Sequence, residues 1–185
     1  MPASVSLGSP GGRIAARTLS ARMDQPPFDR SPFDGYALHS ADIAQAHPDC
    51  PVTLPVSQYL YAGGGPGAPL PPGQAARITT GAMMPPGADC VMWQEETTAD
   101  ENRVTVRHSL TPGRNCRPSG YDVAVGQPLA RRGDVLHSGT LGLLAGQGHI
   151  HAHVFDKPTA SMLASGDELC PPGSPLSEGG IYNIS

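Results

Sequence analysis

Glycine and proline interrupt this chain so often that no long helix or long continuous strand has room to form. With 23 Gly and 21 Pro in 185 residues, about a quarter of the positions either free the backbone or lock it, close to the level at which low complexity becomes a concern. The two residue types follow no period, and short apolar runs recur between them. That pattern predicts many short strands joined by tight turns rather than a disordered segment. The length suits one domain, or one domain with a smaller appendage.

Composition removes several classes of function. A formal charge of −4 opposes a nucleic-acid footprint, because phosphate binding needs a basic surface. Cys50, Cys90, Cys116 and Cys170 are scattered without a C-x-x-C pair, so neither a zinc ribbon nor a disulfide frame is indicated. The first residues carry no basic and apolar signal-peptide pattern, and no apolar run approaches the ~20 residues of a membrane span. A soluble, cytoplasmic protein is expected.

The stretch Phe28-Asp29-Arg30-Ser31-Pro32-Phe33-Asp34-Gly35-Tyr36-Ala37-Leu38 carries the strongest local signal. Pro32 fixes its own φ and pushes Ser31 toward an extended conformation. Gly35 permits either a positive φ or a close backbone approach. An aspartate is thus offered at a sharp bend between two aromatics, Phe33 and Tyr36. An Asx turn, with Asp34 bonding its own backbone, is the common outcome of such a sequence.

Around this bend the chain reads as follows. Residues 1–12 look like a frayed leader, and residues 13–23 like a short strand entering the bend. Strands are expected over 52–61, with Pro55 at an edge or bulge, over 77–79, over 90–94 and over 103–109. Gly63-Gly64-Gly65 lacks the Lys-Ser or Lys-Thr and the helix that a phosphate loop requires. Thr80 sits at a strand end beside Gly81, where a hydroxyl serves a ligand or its own turn equally well. The loop Arg114-Asn115-Cys116-Arg117-Pro118-Ser119-Gly120-Tyr121-Asp122 combines arginines, which give bidentate donors to phosphate, with turn residues. A short helix is expected over 141–145, capped by Ser138 or Thr140 and ended by Gly146 or Gly148. His149, His151 and His153 alternate on one predicted strand face, an exposed edge more often than a zinc site when no carboxylate backs them. A further strand over 160–164 should end in Ser165-Gly166-Asp167-Glu168.

Four of these stretches, in this order, resemble the molybdopterin molybdenumtransferases of the MoeA and gephyrin E-domain type. They are 28–37; Arg77-Ile78-Thr79-Thr80-Gly81-Ala82 with Pro86-Gly87-Ala88-Asp89 and Gln94-Glu95; Gly113-Arg114-Asn115-Cys116-Arg117 with Gly120 and Asp122; and Ser165-Gly166-Asp167-Glu168-Leu169 with Ile181-Tyr182-Asn183. The likeness runs from about Gly12 to Asn183. It implies a mainly β fold with short helices: a small β-barrel-like domain (24–125) inserted in an extended connecting domain (12–23 and 126–165), behind a disordered leader (1–11). Residues 166–185 would begin the family's α/β molybdopterin-binding domain, which is expected to be absent, as are its final β domain and its N-terminal helix.

The resemblance further implies insertion of molybdate into adenylylated molybdopterin with release of AMP, and Mg²⁺ as a companion of the substrate's phosphates. It casts Asp34, Thr80, Asp122 and Glu168 as catalytic, and Arg117, Ser119 and Gly81 as substrate-binding. The resemblance also implies a site shared with another chain, either a second copy in a homodimer or one that carries the α/β domain. Two departures stand out. Pro118-Ser119 replaces a basic run that usually follows Arg117, and Tyr121 replaces the usual Glu. Both weaken an anion site, so a truncated, non-catalytic dimerisation module is the alternative.

Overall fold

The computed structural model describes residues 2–8 and 11–184. Its strands are β1 (Pro2–Ser6), β2 (Leu19–Ser20), β3 (Gly35–Leu38), β4 (Val52–Leu60), β5 (Ala75–Ile78), β6 (Cys90–Trp93), β7 (Thr97–Ala99), β8 (Arg103–Val106) and β9 (Pro128–Ala130). A single α-helix among the described residues, α1 (Ser138–Gly146), precedes β10 (His151–Phe155), β11 (Leu169–Cys170) and β12 (Ile181–Tyr182).

Six short strands form one sheet in the order β6-β3-β5-β4-β8-β7, antiparallel except for the β4–β5 pair. β3 lies inside this sheet and is buried on both faces. Tyr36 and Leu38 join Ile43, Leu54, Met92, Val104 and Val106 in one core. Ala37, on the other face, joins Leu60, Leu70, Ile78 and Val91 in a second. A strand buried on both faces reads as a continuous apolar run, as Tyr36-Ala37-Leu38 does.

A second body assembles from chain on either side of this sheet. β2 pairs with β9 and β1 with β10, both antiparallel, and a third core gathers Ala15, Leu19, Ala130, Leu136, Leu144, Ala152 and Val154. The small β sheet is therefore an insertion in a second, smaller β assembly, a mainly β architecture with one short helix.

Four local expectations are corrected. Residues 2–6 are not a frayed leader: they pair with β10, Ala3 opposite Val154 and Val5 opposite Ala152. That partner edge is formed by residues far along the chain, which no local pattern displays. The helix begins after His137, which caps it without a side-chain bond, so neither Ser138 nor Thr140 serves. Its end matches Gly148, which sits at φ +72° and donates its N–H to the Ala145 carbonyl at 2.9 Å. Residues 160–164 form no strand, because no neighbouring edge offers them a ladder, and Leu163 is 94% exposed. Finally, β10 starts at His151, and His149 instead turns its Nε2 to the Ser20 carbonyl at 3.2 Å. The three imidazoles do not share one strand face, and among the described residues no group of three His, Cys, Asp or Glu side chains is placed to hold a metal ion.

Candidate active site

The bend before β3 is built from its own residues. Ser31, fully buried, donates its hydroxyl to the Phe33 carbonyl at 2.5 Å and its backbone N–H to the Ala82 carbonyl at 3.0 Å. Of the two uses open to Gly35, the close approach is the one realised. A Cβ there would lie 2.0 Å from the Met92 carbonyl oxygen, inside any permitted contact. This lets β3 lie against β6 at the point where Gly35 faces Trp93.

Asp34 does not close an Asx turn on itself. Its Oδ1 accepts the Thr80 backbone N–H at 2.7 Å and the Thr80 hydroxyl at 2.8 Å, across 46 residues of chain. Gly81, at φ +83°, follows Thr80 and donates its N–H to the Ser31 carbonyl at 2.8 Å. The 31–34 bend and the 79–82 turn thus lock each other. The Thr80 N–H and hydroxyl, in that order, hold the Asp34 carboxyl below the ordinary aspartate value, with help from the Arg77 charge and against a small burial effect. Both bonds fall on Oδ1 and neither on Oδ2, so one lone-pair face of the ionised carboxylate is not used by the turn.

Arg77 backs this corner. It donates Nη1 to the Gly35 carbonyl at 3.2 Å, bonds the Gln94 amide oxygen through Nη2, and lies 5.0 Å over the Tyr36 ring. Gln94 in turn donates its side-chain amide to Glu95 at 3.0 Å, which, with the Glu95 backbone N–H and more weakly the Arg77 charge, keeps the Glu95 carboxyl below its usual range. In front of Asp34 lies a depression of about 330 Å³ lined by Phe33, Asp34, Trp93 and Glu95. Phe33 meets Trp93 edge-on, with centroids 4.8 Å apart. Trp93, Glu95 and Arg77 are the neighbours that sequence reasoning did not single out. Arg77, Gln94 and Glu95 stand in the quoted stretches; for Trp93 the signal is a lone tryptophan closing an apolar strand.

The second group, Arg117, Ser119 and Asp122, shares the 113–122 loop. Asp122 is 3.4 Å from Arg117 and 3.9 Å from Arg30, and Arg117 lies 4.7 Å over the Tyr121 ring. Two guanidiniums share one carboxylate, leaving one positive charge. These groups are each about a third exposed, so the ion pairs add little to stability. Ser119 is engaged internally: its N–H goes to Asp29 at 2.8 Å and its hydroxyl to the Pro26 carbonyl at 3.2 Å. Arg30 pairs its backbone with both Met83 and Arg117, so residues 29–34 tie the two groups to one segment. Glu168 stands apart. Its carbonyl accepts the Ile181 N–H at 2.8 Å, and among the described residues no bond joins its side chain to Asp34, Thr80 or Asp122.

A second cleft, about 340 Å³, is lined by Asp29, Met84, Asp89 and Cys116 among others. Burial pushes the Cys116 thiol up to about 11, so it is no nucleophile near neutral pH.

Fold and site define a small β module that offers an anchored, ionised carboxylate at the mouth of a shallow depression. The model of the MoeA N-terminal region (domain I and II) matches residues 2–148. The molybdopterin molybdenumtransferase 2 of Mycobacterium tuberculosis is 36% identical over 181 residues, covering 98% of this chain and 45% of its own length. The molybdopterin molybdenumtransferase of Synechococcus elongatus is 37% identical over 185 residues, again 98% of this chain and 45% of that protein. A crystal structure described as the molybdopterin biosynthesis MoeA protein of Pyrococcus horikosii superposes with TM-score 0.89 at 35% identity, over 100% of this chain and 47% of that one. The chain belongs to the MoeA N-terminal-region family, and it spans less than half the length of these relatives. No helix among the described residues is long and apolar enough to cross a membrane.

Proposed function

We propose that this chain acts in molybdenum cofactor biosynthesis, in the cytoplasm, as the part of a molybdopterin molybdenumtransferase that supplies one wall of the active site. The reaction is insertion of molybdate into adenylylated molybdopterin with release of AMP. The observation that carries this reading is the Asp34 carboxylate, fixed through Oδ1 by Thr80 with Oδ2 presented, in a chain 36% identical to a protein named for that activity.

Asp34 fits a water-rich Mg²⁺ site, since that ion is usually held by one or two carboxylates plus substrate phosphates. Bound there, it would neutralise phosphate charge. Asp34 itself orients a water or the ion's ligands, and Thr80 keeps the carboxylate ionised and aimed. Arg30 and Arg117, with Asp122 balancing one of them, leave a single positive charge for a phosphate oxygen. The opposite wall comes from a second copy of the chain or from a chain carrying the molybdopterin-binding α/β domain, and Glu168 enters the site only in that assembly.

Mixing this chain with a separately prepared molybdopterin-binding half tests the reading. Molybdenum insertion should return with the wild-type chain and drop by at least about a hundredfold with Asp34→Ala, the scale of a lost catalytic group. Equal activity with both chains refutes a catalytic Asp34. The engagement of Arg30 and Arg117 by Asp122 favours a second reading, a non-catalytic dimerisation module. A stable dimer by sedimentation that neither binds a pterin nor restores insertion would establish it.

A further inference from the structure

We propose that Trp93, braced by Phe33, is a stacking platform for one amino-bearing, flat bicyclic ring of the substrate, held at its edge by Glu95 beside Asp34. This rests on the functional reading above and deepens it.

The first observation is the indole itself. Trp93 is the single tryptophan of the chain and closes a strand whose other three residues are fully buried, yet it is 44% exposed. A large aromatic left half in water beside an ionised carboxylate gains stability when a flat, polarisable partner covers it. Phe33 fixes its position from one side, with ring planes 66° apart.

The second observation is size. The depression in front of Trp93 holds about 330 Å³, at the low end of small-molecule sites, which run from roughly 300 to 1,000 Å³. One ring system fits there; a whole dinucleotide-like substrate does not.

The third is the chemistry of the rim. Asp34 and Glu95 are its charged groups, and ionised carboxylates are acceptors only. The Gln94 amide donates to one Glu95 oxygen at 3.0 Å and orients the group, and an exposed carboxylate has acceptor lone pairs beyond that bond for an incoming N–H. Such a rim selects a ring that carries donors and repels a phosphate that has no cation beside it, so the phosphates lie off the platform. Both ends of an adenylylated pterin present an amino group on a flat bicyclic ring. The shared chemistry is therefore an aminoheteroaromatic ring, and its source, pterin or adenine, is for experiment to separate.

The test uses the whole 185-residue chain with two probes, AMP and 6-hydroxymethylpterin, and argininamide as a control cation. Equilibrium dialysis measures binding, and emission is followed from the only tryptophan. One ring probe should bind, identifying the source, and Trp93 emission should fall with the same midpoint. Trp93→Ala should weaken that binding by about tenfold, the scale of base–aromatic stacking, while Trp93→Phe should keep it within about threefold. The proposal is overturned if Trp93→Ala binds as well as wild type, if emission stays constant while a ring probe saturates, or if neither ring binds. Quenching by argininamide alone would likewise overturn it and point to a cationic side chain as the occupant. Ring binding needs no second half-site, so its failure is distinct from a failure of Asp34→Ala to abolish molybdenum insertion.

Discussion

Asp34 and Asp89 each accept two hydrogen bonds from a single hydroxyl residue, one from its backbone N–H and one from its side chain. Thr80 supplies both to Asp34, at 2.7 and 2.8 Å, and Ser40 supplies both to Asp89, each at 2.7 Å. The difference is which oxygens are used. Both Thr80 donors converge on Oδ1 of Asp34, whereas Ser40 takes Oδ1 and Oδ2 of Asp89, one donor each. Asp89 also sits in a closed frame: its N–H goes to Leu38 and its carbonyl receives Gly113 at 2.7 Å. Burial, the largest influence on the Asp89 carboxyl, pushes its pKa up, and the two Ser40 bonds, joined by the Cys90 thiol and His39, together outweigh it, so the group stays ionised. One device thus makes a saturated clamp at Asp89 and an aimed, half-free carboxylate at Asp34.

The largest effect should come from the glycine that aims Asp34. Gly35→Ala puts a Cβ against the Met92 carbonyl, a backbone atom that cannot swing aside. A cost of about 3 kcal/mol or more in denaturant unfolding is expected, the upper range for overpacking. A Gly35→Ala chain as stable as wild type would mean that β3 and β6 have slack at this point, and that the position of Asp34 is not imposed by the sheet.

Removing the two carboxylates should then separate them. Asp89→Ala strands the N–H and hydroxyl of Ser40, which is 7% exposed, and should cost about 1–3 kcal/mol. Asp34→Ala frees only exposed donors on Thr80, which water can satisfy, so the loss should stay under about 1 kcal/mol. Parallel urea melts of the two variants measure the difference. Equal destabilisation would make Asp34 a second structural clamp and remove the basis for treating it as ligand-facing.

How much of this was legible in the sequence depends on the range of the interaction. Pro32 and Gly35 announce the bend, and the alternation of Arg103, Val104, Thr105 and Val106 announces β8, because both signals lie within a few residues. The partner of Asp34 does not: Thr80 is 46 residues away, and an Asp-Gly pair looks the same whether its carboxylate bonds its own turn or another. The quoted motifs placed Asp34 and Thr80 in one family, and the geometry supplies the bond between them. β1 was illegible for the same reason, since its small residues become a strand only against β10. Residues 160–164 err in the opposite direction. Apolar content suggested a strand, but strands are made by partners, and none is there.

The finest distinction between the two aspartates is electrostatic. The pKa of Asp34 is lowered in the folded state, so its contribution to stability is complete above the unfolded value, near 3.8, and is lost as pH falls through the lower folded value. Thr80→Val removes the hydroxyl donor and keeps the backbone N–H, which is the larger of the two influences. The Asp34 carboxyl, followed by carboxyl-carbon NMR, should therefore titrate at a higher pH in Thr80→Val than in wild type, yet still below the ordinary aspartate value. Asp89 should titrate identically in both chains, because Ser40 is untouched. If the Asp34 midpoint does not move, the hydroxyl is not bonded to Oδ1 in solution and the pairing with Thr80 rests on the backbone alone. If it rises all the way to the ordinary value, the backbone bond depends on the hydroxyl, and Thr80 and Asp34 form one cooperative unit that a single methyl substitution dissolves.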